Sequence, residues 1–352
     1  MSPSESITMD ADTQVVLKRE TSLTDCLNPL LTSMKLFGLY FVRQTQTADT
    51  IPGRKWRRCN AWMIHGMIIV ALMWINVVRM FSVFKSEDKF GLALLTKTLA
   101  IVWTIELAIL QTAFYASSHR GTLQDVFSKI KLPDDCARYL RRMAIVYTIV
   151  AWLIMAVTAA VYMYGLFFTE GFMNILLTPL DTYVAIESPL VPSIFMYLFV
   201  FYLTAAHLFT QATTFLMAML FKYQFTRLNK ALECRLDSQG GRVEDAEFEA
   251  IRQEHKKISM SLGNIDGCLM FSNAAAFCGQ LACFIILLYM IMFFHVLVTD
   301  PVINTIYVYW AVAVMFGLIF TIAGGIIIND SVCILRLHCK SFRLYYSLIF
   351  YW

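Results

Sequence analysis

The chain has 352 residues, of which 58% are hydrophobic and 15% are charged, and its formal net charge is +4. A soluble domain is nearer half apolar and a quarter charged. The excess of apolar side chains excludes a single soluble core and predicts a membrane protein. Basic residues flank apolar blocks rather than forming a patch of their own, which argues against nucleic acid as a partner.

The N-terminal segment, residues 1–59, is predicted to be cytoplasmic. Met1 to Glu20 has the polar composition of a disordered segment. No cleavable signal peptide is expected, because Met1 to Asp25 contains no apolar core, so the first span is expected to act as the insertion signal. Leu27 to Val42 predicts a short helix at the cytoplasmic interface. A soluble helix packed under the bundle is the alternative for this segment, residues 27–42.

Six apolar blocks follow, each long enough to cross a bilayer, which takes about 20 apolar residues. Together they predict an all-α, polytopic membrane helix bundle over residues 60–328, followed by a cytoplasmic tail over residues 329–352. The predicted spans are Asn60–Phe84, Gly91–Ala116, Met143–Phe168, Leu190–Phe221, Leu269–Val298 and Ile303–Ile328.

A polar, densely charged arm, residues 222–261, separates the fourth and fifth spans. Its pattern predicts a helix, a break at Ser238-Gln239-Gly240-Gly241, and a second helix that leads directly into the fifth span. The last basic residues before that span are Lys256 and Lys257, as expected where a helix enters the membrane from the cytoplasm.

The distribution of Lys and Arg predicts the orientation of the bundle. Basic residues concentrate before the first span, between the second and third spans, in the arm and in the tail, whereas the loops on the other side carry only Lys85 and Lys89. This alternation places the N-terminus in the cytoplasm. A rhodopsin-like receptor, with its N-terminus outside, is thereby excluded. The nine cysteines all lie in predicted spans or on the cytoplasmic side, so we expect them to be reduced.

Three charged residues lie inside predicted spans, where charge is costly and points to function. Arg79 and Lys97 are near outer ends, and both side chains are long enough to reach the outer surface. Glu106 lies near the middle of the second span. We therefore expect Glu106 to occupy a water-accessible pocket or to pair with a neighbouring helix.

Other polar and aromatic residues in the spans complete the candidate site. His207 and Gln211 are four residues apart in the fourth span, a spacing that favours an interhelical hydrogen bond over metal binding. Aromatic residues crowd the outer halves of the spans, either as an interfacial belt or as the walls of a ligand pocket. The candidate ligand-binding residues are Arg79, Lys97, Glu106, Tyr162, His207, Tyr289 and Trp310.

The sequence favours neither an enzyme nor a metalloprotein. Cys333, His338 and Cys339 lack the spacing of a zinc site. The sequence also contains no phosphate-binding loop, nucleophile elbow or His-Glu-x-x-His motif. No cofactor is therefore expected.

Several short segments have a familiar pattern, in the N-terminal segment, at the end of the fourth helix and in the approach to the fifth helix. The segments are Leu27–Leu30, Lys35–Tyr40, Phe225–Lys230, Ile251–Lys257, Ser261–Ile265, Phe271 and Leu288–Tyr289. They resemble the insect-type gustatory receptor family, including gustatory-receptor-like proteins of other animals. Insect odorant receptors share the same topology and are the competing family.

The resemblance implies a ligand-gated cation channel of the plasma membrane that detects small-molecule tastants and signals taste. In that family each subunit has seven helices, the N-terminus is inside, and four identical or related subunits assemble through the cytoplasmic ends of the helices. An outer-facing pocket within each subunit binds the ligand. The resemblance thus assigns the arm to the subunit anchor and a seventh helix to the pore.

The sequence departs from the family pattern at its end. The family's Thr-Tyr signature occurs only at Thr182-Tyr183, in an outer loop, and the apolar stretch Leu344–Trp352 is too short to cross a bilayer. We therefore expect no pore-lining seventh helix in this sequence. Two alternatives stay open: a membrane transporter with a polar path through Lys97, Glu106 and His207, and a non-conducting regulatory subunit that assembles through the arm.

Overall fold

The computed structural model describes residues 21–42, 61–84, 91–168, 190–238, 245–293 and 304–327. Within these ranges the regular secondary structure is helical apart from two strands of two residues each, β1 (Thr21–Ser22) and β2 (Lys131–Leu132). The helices are α1 (Leu23–Cys26), α2 (Asn28–Leu36), α3 (Ala61–Phe81), α4 (Leu92–Arg120), α5 (Thr122–Lys129), α6 (Asp134–Phe168), α7 (Leu190–Ser238), α8 (Asp245–Phe293) and α9 (Asn304–Ile327).

Six of these helices, α3, α4, α6, α7, α8 and α9, are long and apolar enough to cross a membrane. They coincide with the six predicted spans, so the predicted all-α, multi-pass membrane bundle is confirmed. The polar arm consists of helical extensions of the fourth and fifth spans, because α7 continues to Ser238 and α8 begins at Asp245. Each of these two helices has 49 residues.

The helices α4 and α7 form the centre of the bundle. Helix α4 packs against α3 and α8, while α7 packs against α6 and α8. Large apolar side chains remain exposed on the outer helices, for example Ile75 and Val78 on α3 and Val146 and Leu153 on α6. Exposed apolar side chains on membrane-length helices are expected to contact lipid.

The N-terminal strap, which we define as residues 23–41, is packed into the bundle. The side chains of Leu23, Leu27 and Leu30 are fully buried. Strand β1 pairs antiparallel with β2, which aligns Thr21 with Leu132 and ties the strap to the connection between α5 and α6. The helix predicted over residues 27–42 is shorter, α2, and its position relative to a bilayer remains a prediction.

After α2 the strap passes very close to α3. Gly38 adopts a positive φ of 66°, which side-chain-bearing residues rarely adopt. A Cβ atom added to Gly38 would lie 2.7 Å from the Cα of Gly66. The ring of Phe37 meanwhile contacts the rings of Trp152, Tyr202 and Phe209, with centroid distances of 5.5, 5.5 and 5.6 Å.

Side chains of other helices satisfy the carbonyl groups at the end of α2. The Gln111 amide Nε2 donates a hydrogen bond to the carbonyl oxygen of Phe37 at 3.0 Å, and His65 Nε2 donates to that of Leu36 at 2.9 Å. The last carbonyls of a helix have no intrahelical partner, so such bonds remove a substantial cost of burying them. The strap is therefore held by α3, α4, α6 and α7 together.

Several sequence-based predictions fall outside the described residues and stay predictions. They concern the disorder of Met1–Glu20, the Thr182-Tyr183 signature, the break at residues 239–241, the cysteines and histidine of the tail, and the expected lack of a seventh helix after Lys340.

Candidate ligand-binding cavity

A cavity of about 480 Å³ lies between α4, α6, α7, α8 and α9. Small-molecule sites in proteins commonly have volumes of roughly 300–1,000 Å³ and mostly apolar walls with a few polar groups. This cavity has that character. Six residues with carboxyl, aliphatic hydroxyl, imidazole or amide side chains line it: Glu106, Thr158, Thr204, His207, Gln211 and Gln280.

Glu106 is the acidic group of the cavity. It projects from α4 towards α8 and is only 3% exposed. A Cβ atom added to Gly279 on α8 would lie 2.6 Å from Glu106 Oε2. The carboxylate thus occupies space that any other residue at position 279 would fill with its own side chain.

His207 on α7 faces this carboxylate. Its Nδ1 lies 3.4 Å from Glu106 Oε1, but neither atom has a hydrogen-bond partner among the described residues. The contact is therefore close in distance but lacks the angles of a hydrogen bond. It becomes an ion pair when the imidazole is protonated. When the imidazole is neutral, the carboxylate is a buried charge without a hydrogen bond.

Two amide side chains lie in the same cavity. Gln211 Nε2 and both polar atoms of the Gln280 side chain lack hydrogen-bond partners among the described residues. A Cβ atom added to Gly317 on α9 would lie 3.1 Å from Gln211 Nε2 and 3.2 Å from Gln280 Oε1. Leaving a buried polar group unsatisfied costs about 1–3 kcal/mol. These amides are therefore suited to bind a ligand or water.

An aromatic cluster lies at one end of the cavity, which the distribution of Lys and Arg predicts to be the outer end. Trp103, Tyr162 and Trp310 contact one another, with ring centroids 6.1 Å apart for Trp103–Tyr162, 5.9 Å for Tyr162–Trp310 and 6.4 Å for Trp103–Trp310. Trp103 and Trp310 line the cavity, whereas Tyr162 packs behind them. Trp103 lies one helical turn before Glu106 on α4, so the two side chains share a face of that helix.

A second aromatic cluster lies towards the opposite end. The ring of Phe215 on α7 lies between those of Tyr147 and Phe320, with centroid distances of 5.5 and 5.2 Å. All three residues line the cavity. The polar groups therefore lie between two aromatic ends.

The structure brings together four of the seven candidate site residues. Glu106, His207 and Trp310 line the cavity, and Tyr162 supports Trp310 from behind. Glu106 thus lines a cavity and lies close to His207 on a neighbouring helix, although the two side chains form no hydrogen bond. A role for these four residues in ligand binding remains a proposal.

Arg79, Lys97 and Tyr289 do not line the cavity. Arg79 Nε donates to Asn76 Oδ1 on its own helix at 2.9 Å. Tyr289 is 37% exposed and its ring lies 4.6 Å from that of Phe293, on the outer surface of α8. This position fits an aromatic belt better than a pocket wall.

Sequence reasoning missed Trp103, Gln280 and Gly279 as parts of the site. A signal existed for Gln280, because it is an amide within the run Leu269–Val298, which contains no Lys, Arg, Asp or Glu. The hydrogen bond predicted for Gln211 is not present among the described residues, where its Nε2 has no partner. Among those residues, too, no group of three or more His, Cys, Asp or Glu is arranged to hold a metal ion.

The fold and the cavity together define an all-helical, multi-pass membrane protein with an internal site of small-molecule size. No protein-family model matches the chain, and no curated protein sequence matches it. Among solved structures, it is similar to the insect olfactory receptor OR5 from Machilis hrabei, with a TM-score of 0.62 and 12% sequence identity. The similarity covers 88% of this chain and 81% of that chain. The chain therefore shares the fold of that receptor.

Proposed function

We propose that this protein is a membrane chemoreceptor subunit that binds a small-molecule ligand in the cavity between α4, α6, α7, α8 and α9. One observation carries the proposal. A cavity of about 480 Å³, with unpartnered buried polar groups of Glu106, His207, Gln211 and Gln280, lies inside a bundle with the olfactory receptor fold. Such a cavity has the size and the mixed lining of a site for one small ligand.

The proposal includes a gustatory-type, ligand-gated cation channel, assembled as a homo- or heterotetramer in the plasma membrane with its N-terminus in the cytoplasm. The resemblance of Phe225–Lys230 and Ile251–Lys257 to the gustatory family supports the type. The distribution of Lys and Arg supports the orientation. A ligand would open the channel by binding the open form more tightly than the closed form, since only a difference in affinity shifts the equilibrium.

A first test is electrical. The full-length protein is expressed in oocytes, alone and with related receptor subunits, and currents are recorded while a panel of small volatile and water-soluble compounds is applied. We expect a compound-evoked cation current that is lost in Gly317→Leu, because a leucine there fills the space between Gln211 and Gln280. An evoked current that is unchanged in Gly317→Leu would contradict ligand binding in this cavity.

A chemical test of the cavity does not depend on conduction. Cys283 lines the cavity but is only 1% exposed, so a small membrane-permeant methanethiosulfonate should modify it slowly, and an active compound should slow that reaction further. A Cys283→Ser variant gives the background. Protection of Cys283 by a compound that evokes no current would support the non-conducting regulatory subunit instead, which should also co-purify with longer relatives.

A transporter is the second candidate, favoured by the carboxylate–imidazole contact of Glu106 and His207 inside the cavity. Two titratable groups at this distance could exchange a proton as a substrate binds. Uptake of a radiolabelled substrate by proteoliposomes distinguishes the two functions. Uptake that depends on a proton gradient and is lost in Glu106→Gln, without any ligand-evoked current, would replace the receptor proposal by a transporter.

A further inference from the structure

We propose that the cavity selects small amines, with the protonated amino group held by Glu106 and the apolar part of the ligand enclosed by Trp103 and Trp310. The inference rests on the proposed function and specifies the ligand chemistry of the same site. It depends on three features: an unpartnered buried carboxylate, an aromatic wall in the same cavity, and the absence of Lys and Arg from the described residues that line it.

The charge of the cavity is the first feature. Among the described residues that line it, Glu106 is the only carboxylate, and there is no Lys or Arg. Its side chain is 1% exposed, and neither carboxylate oxygen has a hydrogen-bond partner among the described residues. Burying a carboxylate in this way is unfavourable unless a cation or hydrogen-bond donors reach it. An ammonium group provides both, since it carries a positive charge and up to three N–H donors.

His207 is the only side chain in the lining that could supply the positive charge instead. Its Nδ1 is within 3.4 Å of Glu106 Oε1, yet the two atoms do not form a hydrogen bond. A protonated imidazole committed to this carboxylate should donate along the N–H direction, as charge-assisted hydrogen bonds do. Both oxygens of Glu106 are buried and have no donor among the described residues, so an ammonium group that reaches them meets no competing hydrogen bond.

The aromatic wall is the second feature. Trp103 lies one turn from Glu106 on α4, and Trp310 lies 6.4 Å from Trp103 between ring centroids. Tryptophan faces attract cations within about 6 Å, most strongly when water is excluded. The same rings provide apolar surface for a hydrocarbon or aromatic group. A carboxylate in a cavity that two indoles also line therefore favours an ammonium with an apolar substituent over a neutral or anionic ligand.

The amide side chains of the cavity also favour a ligand whose polar group carries several hydrogen-bond donors. Gln280 Oε1 is an unpartnered acceptor in the same cavity, on the residue that follows Gly279, whose backbone contacts Glu106. An amine therefore finds a second acceptor besides the carboxylate. An anion would meet the uncompensated charge of Glu106, and a neutral alcohol has a single donor for the unpartnered acceptors.

Binding of matched probe pairs tests the inference. The full-length protein is purified into lipid nanodiscs, and the affinities of four amine–alcohol pairs are measured at neutral pH: butylamine and butanol, benzylamine and benzyl alcohol, 3-phenylpropylamine and 3-phenylpropanol, and cyclohexylmethylamine and cyclohexylmethanol. Protection of Cys283 from methanethiosulfonate locates each bound probe in the cavity. We expect at least one amine to bind about tenfold or more tightly than its alcohol, as for hydrogen bonds to a charged group.

Two variants assign the preference to Glu106. Glu106→Gln keeps the shape of the side chain and should reduce amine affinity to that of the matched alcohol while leaving the alcohol unchanged. Retained alcohol binding also shows that the variant is folded. Glu254→Gln makes the same chemical change at an exposed position of α8, and both affinities should stay as in the unaltered protein.

The outcomes separate this inference from the proposed function. Equal binding of amines and alcohols, with protection of Cys283, would overturn the amine preference and leave the ligand-binding cavity intact. Loss of both probes in Glu106→Gln would also overturn it, since that result indicates a structural role. Absence of binding and of protection by all eight probes would count against the cavity as a ligand site, and therefore against both.

Discussion

The carboxylate of Glu106 packs against the backbone of Gly279, so that a Cβ atom on this glycine would lie 2.6 Å from Oε2 and 2.7 Å from Cδ. The contact joins α4 to α8 at the level of the cavity. Because Gly279 has no side chain, the carboxylate of Glu106 fits against its backbone. The acidic group and the glycine therefore form one structural unit, although they are far apart in the sequence.

The first prediction concerns Gly279→Ala. The added methyl group would force the Glu106 carboxylate or α8 to move, and overpacking of this kind costs about 1–3 kcal/mol. We expect a lower unfolding temperature and weaker ligand binding, measured by thermal denaturation with size-exclusion chromatography and by the nanodisc binding assay.

The matched control is Gly267→Ala on the same helix. An added Cβ there meets no atom within 4 Å. Alanine is a better helix former than glycine by about 1 kcal/mol, so this variant should be neutral or slightly more stable. Equal behaviour of the two variants would show that the contact between Gly279 and Glu106 is unimportant.

The second prediction separates backbone strain from steric contact in the strap. Gly38 and Gly121 both have positive φ angles, 66° and 80°, but only Gly38 has a close neighbour, the Gly66 Cα at 2.7 Å from a built Cβ. Gly121→Ala should cost about 1–2 kcal/mol through its left-handed conformation alone. Gly38→Ala should be clearly more destabilising in the same thermal assay. Equal losses of stability would mean that the strap shifts away from α3 without cost.

The third prediction concerns the ring of Phe37, which lies among Trp152, Tyr202 and Phe209. Phe37→Ala would leave a cavity in the centre of the bundle, and such changes cost about 3–5 kcal/mol. We expect strongly reduced yield and thermal stability. Leu36→Ala is the control, because Leu36 is 45% exposed and its removal should change stability by about 0.5 kcal/mol or less. A mild effect of Phe37→Ala would indicate that the strap contributes little to folding.

The fourth prediction uses cysteine labelling to test the orientation of the arm. Cys234 near the end of α7 is exposed, whereas Cys26 is buried. Burial raises the pKa of the Cys26 thiol, Asp25 acts in the same direction, and Arg141 opposes them. A raised pKa lowers the fraction of reactive thiolate at neutral pH, so Cys26 should react poorly on two grounds.

Variants that retain a single cysteine allow the measurement. With only Cys234 present, a membrane-impermeant maleimide should label the protein in permeabilised cells and not in intact cells. With only Cys26 present, labelling should be absent in intact cells and slow in permeabilised cells, where it should accelerate as the pH is raised. Rapid labelling of Cys234 in intact cells would place the arm outside and reverse the predicted orientation.

The spans were predictable because they depend on a local property, the length of an apolar block. Each block from Asn60 onward reaches membrane length, and each was found as a helix. Glu106 and His207 were also accessible to sequence reasoning, since a titratable side chain in the middle of an apolar helix requires special surroundings. Their contact at 3.4 Å was not, because it depends on how α4 and α7 pack.

The burial of the strap was harder to predict. Pro29, Ser33 and Lys35 make Leu27–Val42 too polar to span a bilayer, which left both an interfacial helix and a helix packed under the bundle open. In the structure, however, Ser33 is buried and its hydroxyl donates to the carbonyl of Pro29 and accepts from Trp152 Nε1 at 3.2 Å. Composition alone does not distinguish a buried polar residue that is hydrogen-bonded to another helix from one that is exposed to solvent.

The length of α7 and α8 has a mechanical consequence. Each has 49 residues, or about 73 Å at 1.5 Å per residue, and each contributes both to the wall of the cavity and to the arm. A rod of that length pivoting near one end moves its far end by about 1 Å for each degree of tilt. These two helices therefore act as lever arms. A ligand that slightly separates the walls of the cavity would displace the end of α7 and the start of α8, in the arm, by a distance several times larger.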